Sequence, residues 1–441
     1  MNRDGRDSDE GLVRAIGPRA LGLSIINLTV GGGIFVLPGL IAAQLGPAAI
    51  LAYLACSVAV ALVFLCFAEI GSRITRSGGA YAYIEDAFGP FAGFIASVLI
   101  WFGWSVLSDA AITVAMVETM AVALPTLAQP VPRGIVIVAL CGFLAWVNVT
   151  GVRAGLRLLA LNTVAKLVPL LLLVAVGLFA VDTDFLSITE WPSLSSLGAG
   201  TLVLFFAFAG AEAGLHASGE ITHPPKTVPR GLLMGLGGIL LLYLGLQTVA
   251  QGVLGPELAR NTDAPLAAVA RAIFGDWGSR MLLVAGVISI YATVSGDMLA
   301  APRVVFASAR DGNLPGILAR VHPRYKTPYV SIIFFAAVIC ALALSGTFKP
   351  LAVVASGSIL VVYGGVSLAV LRLRQRDGHP ASGAFTIPGG PAIPVLSCLV
   401  VAWLLWQLTA EEALGLAALV GVSICLYVLR SVPGWGRGER H

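Results

Sequence analysis

The sequence predicts an all-α membrane protein that crosses the bilayer twelve times, and three observations carry that prediction. Of its 441 residues, 58% are hydrophobic and only 11% are charged. The mean hydropathy of +0.92 leaves too little polar surface to cover a water-soluble fold of this size. Apolar stretches of about 20 residues, the length a helix needs to cross the hydrocarbon core, recur along the whole chain. Basic residues, finally, are shared unequally between alternate loops, as membrane insertion requires.

Apolar runs, bounded by turn residues and charges, place candidate spans at 19–44, 47–70, 91–123, 133–150, 156–181, 198–222, 229–254, 279–309, 327–348, 350–373, 391–410 and 412–430. The layout is a polar tail (1–18) without the features of a cleavable leader, one transmembrane domain (19–430) and a second tail (431–441). With the N-terminus inside, twenty-one of the 27 lysines and arginines fall on the cytoplasmic side, five fall outside, and Lys166 lies within a span. Both termini are therefore expected in the cytoplasm, with the chain in the plasma (inner) membrane. The net charge of +4 is scattered over short loops, so no nucleic-acid partner is expected; the bilayer is the partner. Six cysteines (Cys56, Cys66, Cys141, Cys340, Cys398 and Cys425) sit in apolar segments without CxxC spacing. They read as small buried hydrophobes, and neither metal nor cofactor is expected.

Span 1 carries "TVGGGIFVLPG", Thr29 to Gly39. Each interior glycine costs a helix about 1 kcal/mol relative to alanine. Neighbouring positions lie about 100° apart around a helix, so three consecutive glycines form no single packing face. The helix is expected to stop there, and irregular backbone at membrane depth is tolerated where it lines a cavity. Span 3 holds Asp109, read as paired with a neighbouring polar helix or as a selector of cationic substrate groups, and Glu118 near the outer end. In span 5, Lys166 follows Leu156 by ten residues, so it lies about 15 Å deep, beyond comfortable snorkelling. An ionisable group at that depth is a functional candidate.

Span 6 reads "LFFAFAGAEAGLHASGE", with Gly210, Gly214 and Gly219 and the acid Glu212 at mid-depth. His216 is read as a bonded core residue. A repeat of five spans inverts in the membrane, and matching interruptions in two inverted halves point to a transporter site. Half-helix N-termini offer free amides to a carboxylate, and broken C-terminal ends offer carbonyls to an ammonium group. A zwitterionic amino acid fits both poles. In span 8, Asp297 is read as the ion-pair partner of Arg303.

At these residues the chain resembles the amino acid–polyamine–organocation permeases, which are similar in fold to LeuT-type transporters. "VGGGIFVLPG" resembles the helix-1 motif of that family, with Gly32 where many members have serine. "RSGGAYAYIEDAFGPFAGF" (76–94) resembles the loop between helices 2 and 3, "FAFAGAEAGLHASGEITHPPKTVPRGL" (206–232) helix 6 and the loop after it, and "SGDMLAAPRVVFASARDGNLP" (295–315) the end of helix 8. The resemblance implies a five-plus-five inverted repeat, 19–181 and 198–373, followed by two C-terminal helices within 391–430. It implies a substrate between helices 1 and 6, with its carboxylate near Gly31, Gly32, Gly33 and Ile34. The ammonium group would face carbonyls around Asn27, Thr29 and Val30, and around Phe206, Ala207 and Phe208, with Ala209 and Gly210 beside them. Phe206 matches an aromatic gate position, Tyr243 a tyrosine of exchangers, and Glu212 a frequent family acid. "NTVAKLVP" resembles the helix-5 stretch whose lysine stands in place of a sodium ion. Lys166 is therefore expected to link helix 5 to helix 1 and to Ser289 or Thr293, and to carry a proton, with a permanently charged structural lysine as the alternative. Glu212 has two roles open to it, the rival proton carrier or a non-titrating hydrogen-bond acceptor for amides freed at the break.

The expected function is sodium-independent, proton-coupled transport of a small amino acid by alternating access. The apolar site favours a neutral substrate, while Asp109 keeps a cationic amino acid or polyamine open, and exchange is the other transport mode. A membrane enzyme would need a clustered nucleophile or metal set, and the histidines are dispersed. A channel would favour a charged ring or repeated pore lining, and a non-transporting sensor would share the binding site. Oligomeric state is left open.

Overall fold

The computed structural model describes residues 16–74, 79–150, 156–210, 212, 215, 221–310, 312–377 and 385–430, with backbone only at 156–163. His216, Gly214, Gly219 and both tails (before 16 and after 430) lie outside the described residues, as do Arg76 and Arg153. The described chain is nearly all helix. The elements are α1 (Pro18–Thr29), α2 (Leu37–Leu45), α3 (Ala49–Arg73), α4 (Ala80–Phe88), α5 (Pro90–Val98), α6 (Leu107–Ala123), α7 (Pro130–Thr150) and α8 (Leu156–Gly177). They continue with α9 (Leu194–Phe208), α10 (Pro224–Leu254), α11 (Pro265–Arg310), α12 (Tyr329–Ser345), α13 (Phe348–Asp377), α14 (Ala392–Leu405) and α15 (Ala410–Leu429). Among the described residues, seven helical runs are long and apolar enough to cross a membrane, and four more are apolar but shorter. Apolar side chains such as Leu23, Leu241, Leu399 and Leu414 point outward, as lipid-facing surfaces require. Trp191, Trp277 and Trp406 are also exposed, each near a helix end or bend.

Span 1 is two helices. α1 ends at Thr29, a short 3₁₀ turn covers Gly33–Phe35, and α2 restarts at Leu37 with Pro38 in its first turn, where a missing N–H costs nothing. In span 6, α9 is capped by Ser193, whose hydroxyl accepts from Ser196 N–H at 3.0 Å, and ends at Phe208. The chain turns at Gly210 with φ of +107°, a conformation that β-carbon-bearing residues avoid.

Other boundaries shift for local reasons. The run predicted at 279–309 begins at Pro265, bending at Gly275, because "PLAAVARAIF" forms a helix of its own before the bend. The run predicted from 229 begins at Pro224 and carries Pro229 inside its second turn. α4, bracketed by Gly79 and Gly89, is too short to read as a span. Between α5 and α6 the helix widens to π geometry over Leu99–Val106.

Packing brings the interrupted spans together. α1 lies against α10 along a glycine seam: a β-carbon at Gly231 would come within 2.6 Å of Leu21 Cδ2, and one at Gly235 within 2.5 Å of Ile25 Cγ2. Close backbone approach of this kind replaces the hydrophobic effect as the glue between membrane helices. At the far end of α3, Glu69 is fully buried and fully engaged. Arg73 Nη2 donates to Glu69 Oε1 at 2.6 Å, Arg374 Nε donates to Oε1 at 2.8 Å, and Arg374 Nη2 donates to Oε2. Ile387 N–H completes the set on Oε2 at 2.9 Å, and the Ser72 hydroxyl accepts from Phe385 N–H at 3.1 Å. One carboxylate thereby ties α3, α13 and the segment that leads into α14.

Candidate functional site

A cavity of about 590 Å³ opens between the two interruptions. Its walls include Asn27, Thr29, Gly31, Gly32 and Gly33 from the first break, and Phe206, Ala207, Ala209, Gly210 and Glu212 from the second. Lys166 of α8 and Thr293 of α11 also face it. Of the residues named from sequence, Val30, Ile34, Phe208, Tyr243 and Ser289 are buried behind the wall rather than facing the cavity. Phe208 turns its ring edge-on to Tyr243, centroids 5.0 Å apart, so it supports the break from outside.

The first break leaves donors. Gly31 N–H bonds Thr29 O at 2.8 Å, and the 3₁₀ turn uses the amides of Phe35 and Val36. Among the described residues, the amides of Gly32, Gly33 and Ile34 carry no hydrogen bond, and consecutive free amides of this kind form an anion-binding concavity. Glycine is required here by crowding: a β-carbon at Gly32 would sit 2.6 Å from Ile290 Cγ1, and one at Gly33 would sit 2.9 Å from Phe206 Cδ1.

The second break leaves an acceptor. The amide that would close the helical turn onto Phe206 O is that of Gly210, which instead donates to Glu212 Oε2 at 3.0 Å. Tyr363 Oη donates to the same oxygen. Glu212 thus satisfies a freed backbone donor, the second of the two roles its position suggested.

Several expected acceptors are already engaged. Lys166 Nζ donates to Asn27 O at 2.5 Å, which joins α8 to the end of α1 as expected. The expected second link, to α11, is absent: Thr293 Oγ1 donates to Ser289 O at 3.0 Å, and Ser289 Oγ is buried without a partner among the described residues. Tyr243 Oη donates to Ala207 O at 3.0 Å, with Thr29 O a second acceptor at 3.3 Å. Tyr243 therefore straps the two breaks together from behind the cavity wall. Tyr243→Phe deletes that strap, and a neutral hydrogen bond of this type contributes about 1 kcal/mol. Substrate affinity is expected to fall about fivefold, as measured by ligand-induced thermal shift, without loss of the folded protein.

Sequence reasoning missed the aromatic wall and the placement of Asp297. Trp104 packs on Phe206 at 5.6 Å, and Phe206 packs edge-on to Phe348 at 5.6 Å. Trp101, Ser105, Ser108 and Ile112 line the same side, presented by the π segment and the start of α6. The "WFGWS" stretch, with two tryptophans deep in a span, was the available signal. Asp297 lines the cavity and forms no ion pair with Arg303, since six positions along a helix place two side chains about 120° apart. Glu118 meets Arg133 of α7 at 3.8 Å.

The amino acid permease family model matches residues 17–425. The chain is 26% identical to the methylthioribose transporter of Bacillus subtilis, over 97% of this chain and 95% of that protein. It is 27% identical to the serine/threonine exchanger SteT of the same organism, over 94% and 96% of the two chains. It is 25% identical to the branched-chain amino acid permease BcaP, again from Bacillus subtilis, over 96% and 94%. A match across nearly the whole length, reached after two interrupted helices with a cavity between them, places the chain in the amino acid permease family.

Proposed function

We propose that the protein is a secondary active transporter that carries a small amino acid by alternating access, proton-coupled and independent of sodium. The observation that carries this reading is the pairing, across one cavity, of the Gly32 and Gly33 amides with the Phe206 carbonyl, all three without a hydrogen bond among the described residues. A zwitterion presents a carboxylate to the first and an ammonium to the second. The architecture that goes with this reading is twelve spans, with inverted repeats at 19–181 and 198–373, two further spans within 391–430, and both termini cytoplasmic in the plasma membrane. Lys166 takes the place of a sodium ion between α8 and α1 and carries a coupling proton.

The largely apolar lining, with Trp104, Phe206 and Ile112, favours a neutral side chain. Asp297 in the wall supports a second reading, a cationic amino acid or polyamine substrate. The name of the serine/threonine relative supports exchange as the second transport mode.

Reconstituted proteoliposomes offered each labelled amino acid, with and without an inward proton gradient, test the proposal. Saturable accumulation that rises with the gradient is expected. Binding without accumulation would indicate a sensor, and uptake that fails to saturate would indicate a channel.

A further inference from the structure

Asp109 and Asp297 take no part in the substrate contacts above. Asp109, on α6, is fully buried, and among the described residues no N–H or O–H group reaches either of its carboxyl oxygens. Its electrostatic neighbour is the Asp297 carboxyl of α11. The contact follows from the way α6 and α11 cross, since Ile112 and Ile290 both close on the site of a β-carbon at Gly32. Asp109 lies three residues before Ile112, and Asp297 lies seven after Ile290. Asp297 opens onto the cavity beside Ser108 and Gly296, whereas Asp109 is sealed from it.

Charges that could neutralise the pair are not at hand. Cys141 of α7 lies near Asp109 and beside Cys340 of α12, and Glu212 at the second break lies near Asp297. Tyr363 of α13 is committed to Glu212, and Lys166 of α8 bonds Asn27 O. Among the described residues no lysine or arginine forms an ion pair with either aspartate. Two neighbouring ionised carboxylates, one of them sealed from water, would repel, and Asp109 would lack a donor. A single proton between them converts repulsion into a charge-assisted O–H···O⁻ bond.

We propose that Asp109 and Asp297 share one proton, forming a proton-binding site beside the cavity that is separate from Lys166. Asp109, shut off from water, holds the proton as a carboxylic acid and donates it to Asp297, whose carboxylate faces the cavity. When α6 and α11 part and water enters, the Asp109 O–H breaks, its proton passes to water as hydronium, and both groups are left ionised and hydrated. When the helices close again, one proton is taken back. This second half rests on the transporter reading; the shared proton does not.

Infrared spectroscopy of the lipid-reconstituted protein at neutral pH tests the first half. The wild type is expected to show a carboxylic-acid C=O band that Asp109→Asn removes and Lys166→Met leaves in place. Asparagine keeps a donor to Asp297, so folding is preserved, and Asp109→Glu, which retains an acid, is expected to shift the band without removing it. Identical wild-type and Asp109→Asn spectra would overturn the shared proton, whatever uptake does. The second half is read from accumulation. With a gradient of one pH unit, losing one coupled proton lowers the accumulation ratio by about tenfold. An unchanged ratio in Asp109→Asn would overturn coupling through this pair, whereas a wild type that accumulates nothing would overturn the transporter reading alone.

Discussion

Replacing Lys166 with methionine is expected to reduce proton-gradient-driven uptake by roughly 10- to 100-fold. The side chain is 6% exposed, deep in α8, and its ammonium is the donor on Asn27 O at the end of α1. Methionine keeps the length and apolar stem, so it leaves little void. What it removes is a hydrogen bond to a charged group, contributing about 1.5–3 kcal/mol, together with the charge that bridges those two helices. Uptake into proteoliposomes with an acidic exterior measures the coupled rate, and substrate counterflow at equal pH measures movement through the site without coupling. A loss confined to the first assay assigns the proton to Lys166. Wild-type uptake in both would remove the residue from the mechanism, and equal loss in both would make the lysine a structural tether between α8 and α1.

Glu69→Ala is expected to be the most destabilising single substitution in the molecule. The carboxylate receives two arginines and a backbone amide while buried. Removing it leaves the Arg73 and Arg374 guanidiniums facing each other without a counter-ion, and breaking a buried pair in this way costs about 3–5 kcal/mol. The midpoint of thermal unfolding in detergent is expected to fall by several degrees. Combining Glu69→Gln with Arg374→Met, which removes charge from both sides, is expected to recover part of the loss. An unchanged midpoint in the single variant would show that water already satisfies the two arginines.

The two interruptions and the buried lysine were legible because each violates a local rule: glycines and a charge where lipid-spanning helices favour neither. Glu212 was legible as to place, and its hydrogen-bonding role was one of the two its position allowed. The bond from Tyr243 to Ala207 O was not legible, because helix pitch tells which turn a residue occupies but not which way its ring points once two helices end beside it. The π segment at Leu99–Val106 left no mark of its own, since i→i+5 bonding selects no residue type. The contact between Asp109 and Asp297 depends on the register between two helices far apart in the chain, which no run of residues encodes. Asp297 was paired with Arg303 because they are close in sequence, whereas tertiary packing offered a partner from another helix.

The exposed indoles of Trp191, Trp277 and Trp406 stand where α9 begins, α11 bends and α14 ends. On the proposed twelve-span topology all three fall at one face of the bilayer, at the depth where indole rings settle among headgroups. They act as floats that hold that face at a set height. On the proposed alternating-access reading, helices that rock about the cavity take up their tilt at the opposite leaflet, so the thickness of the surrounding lipid enters the energy of every cycle.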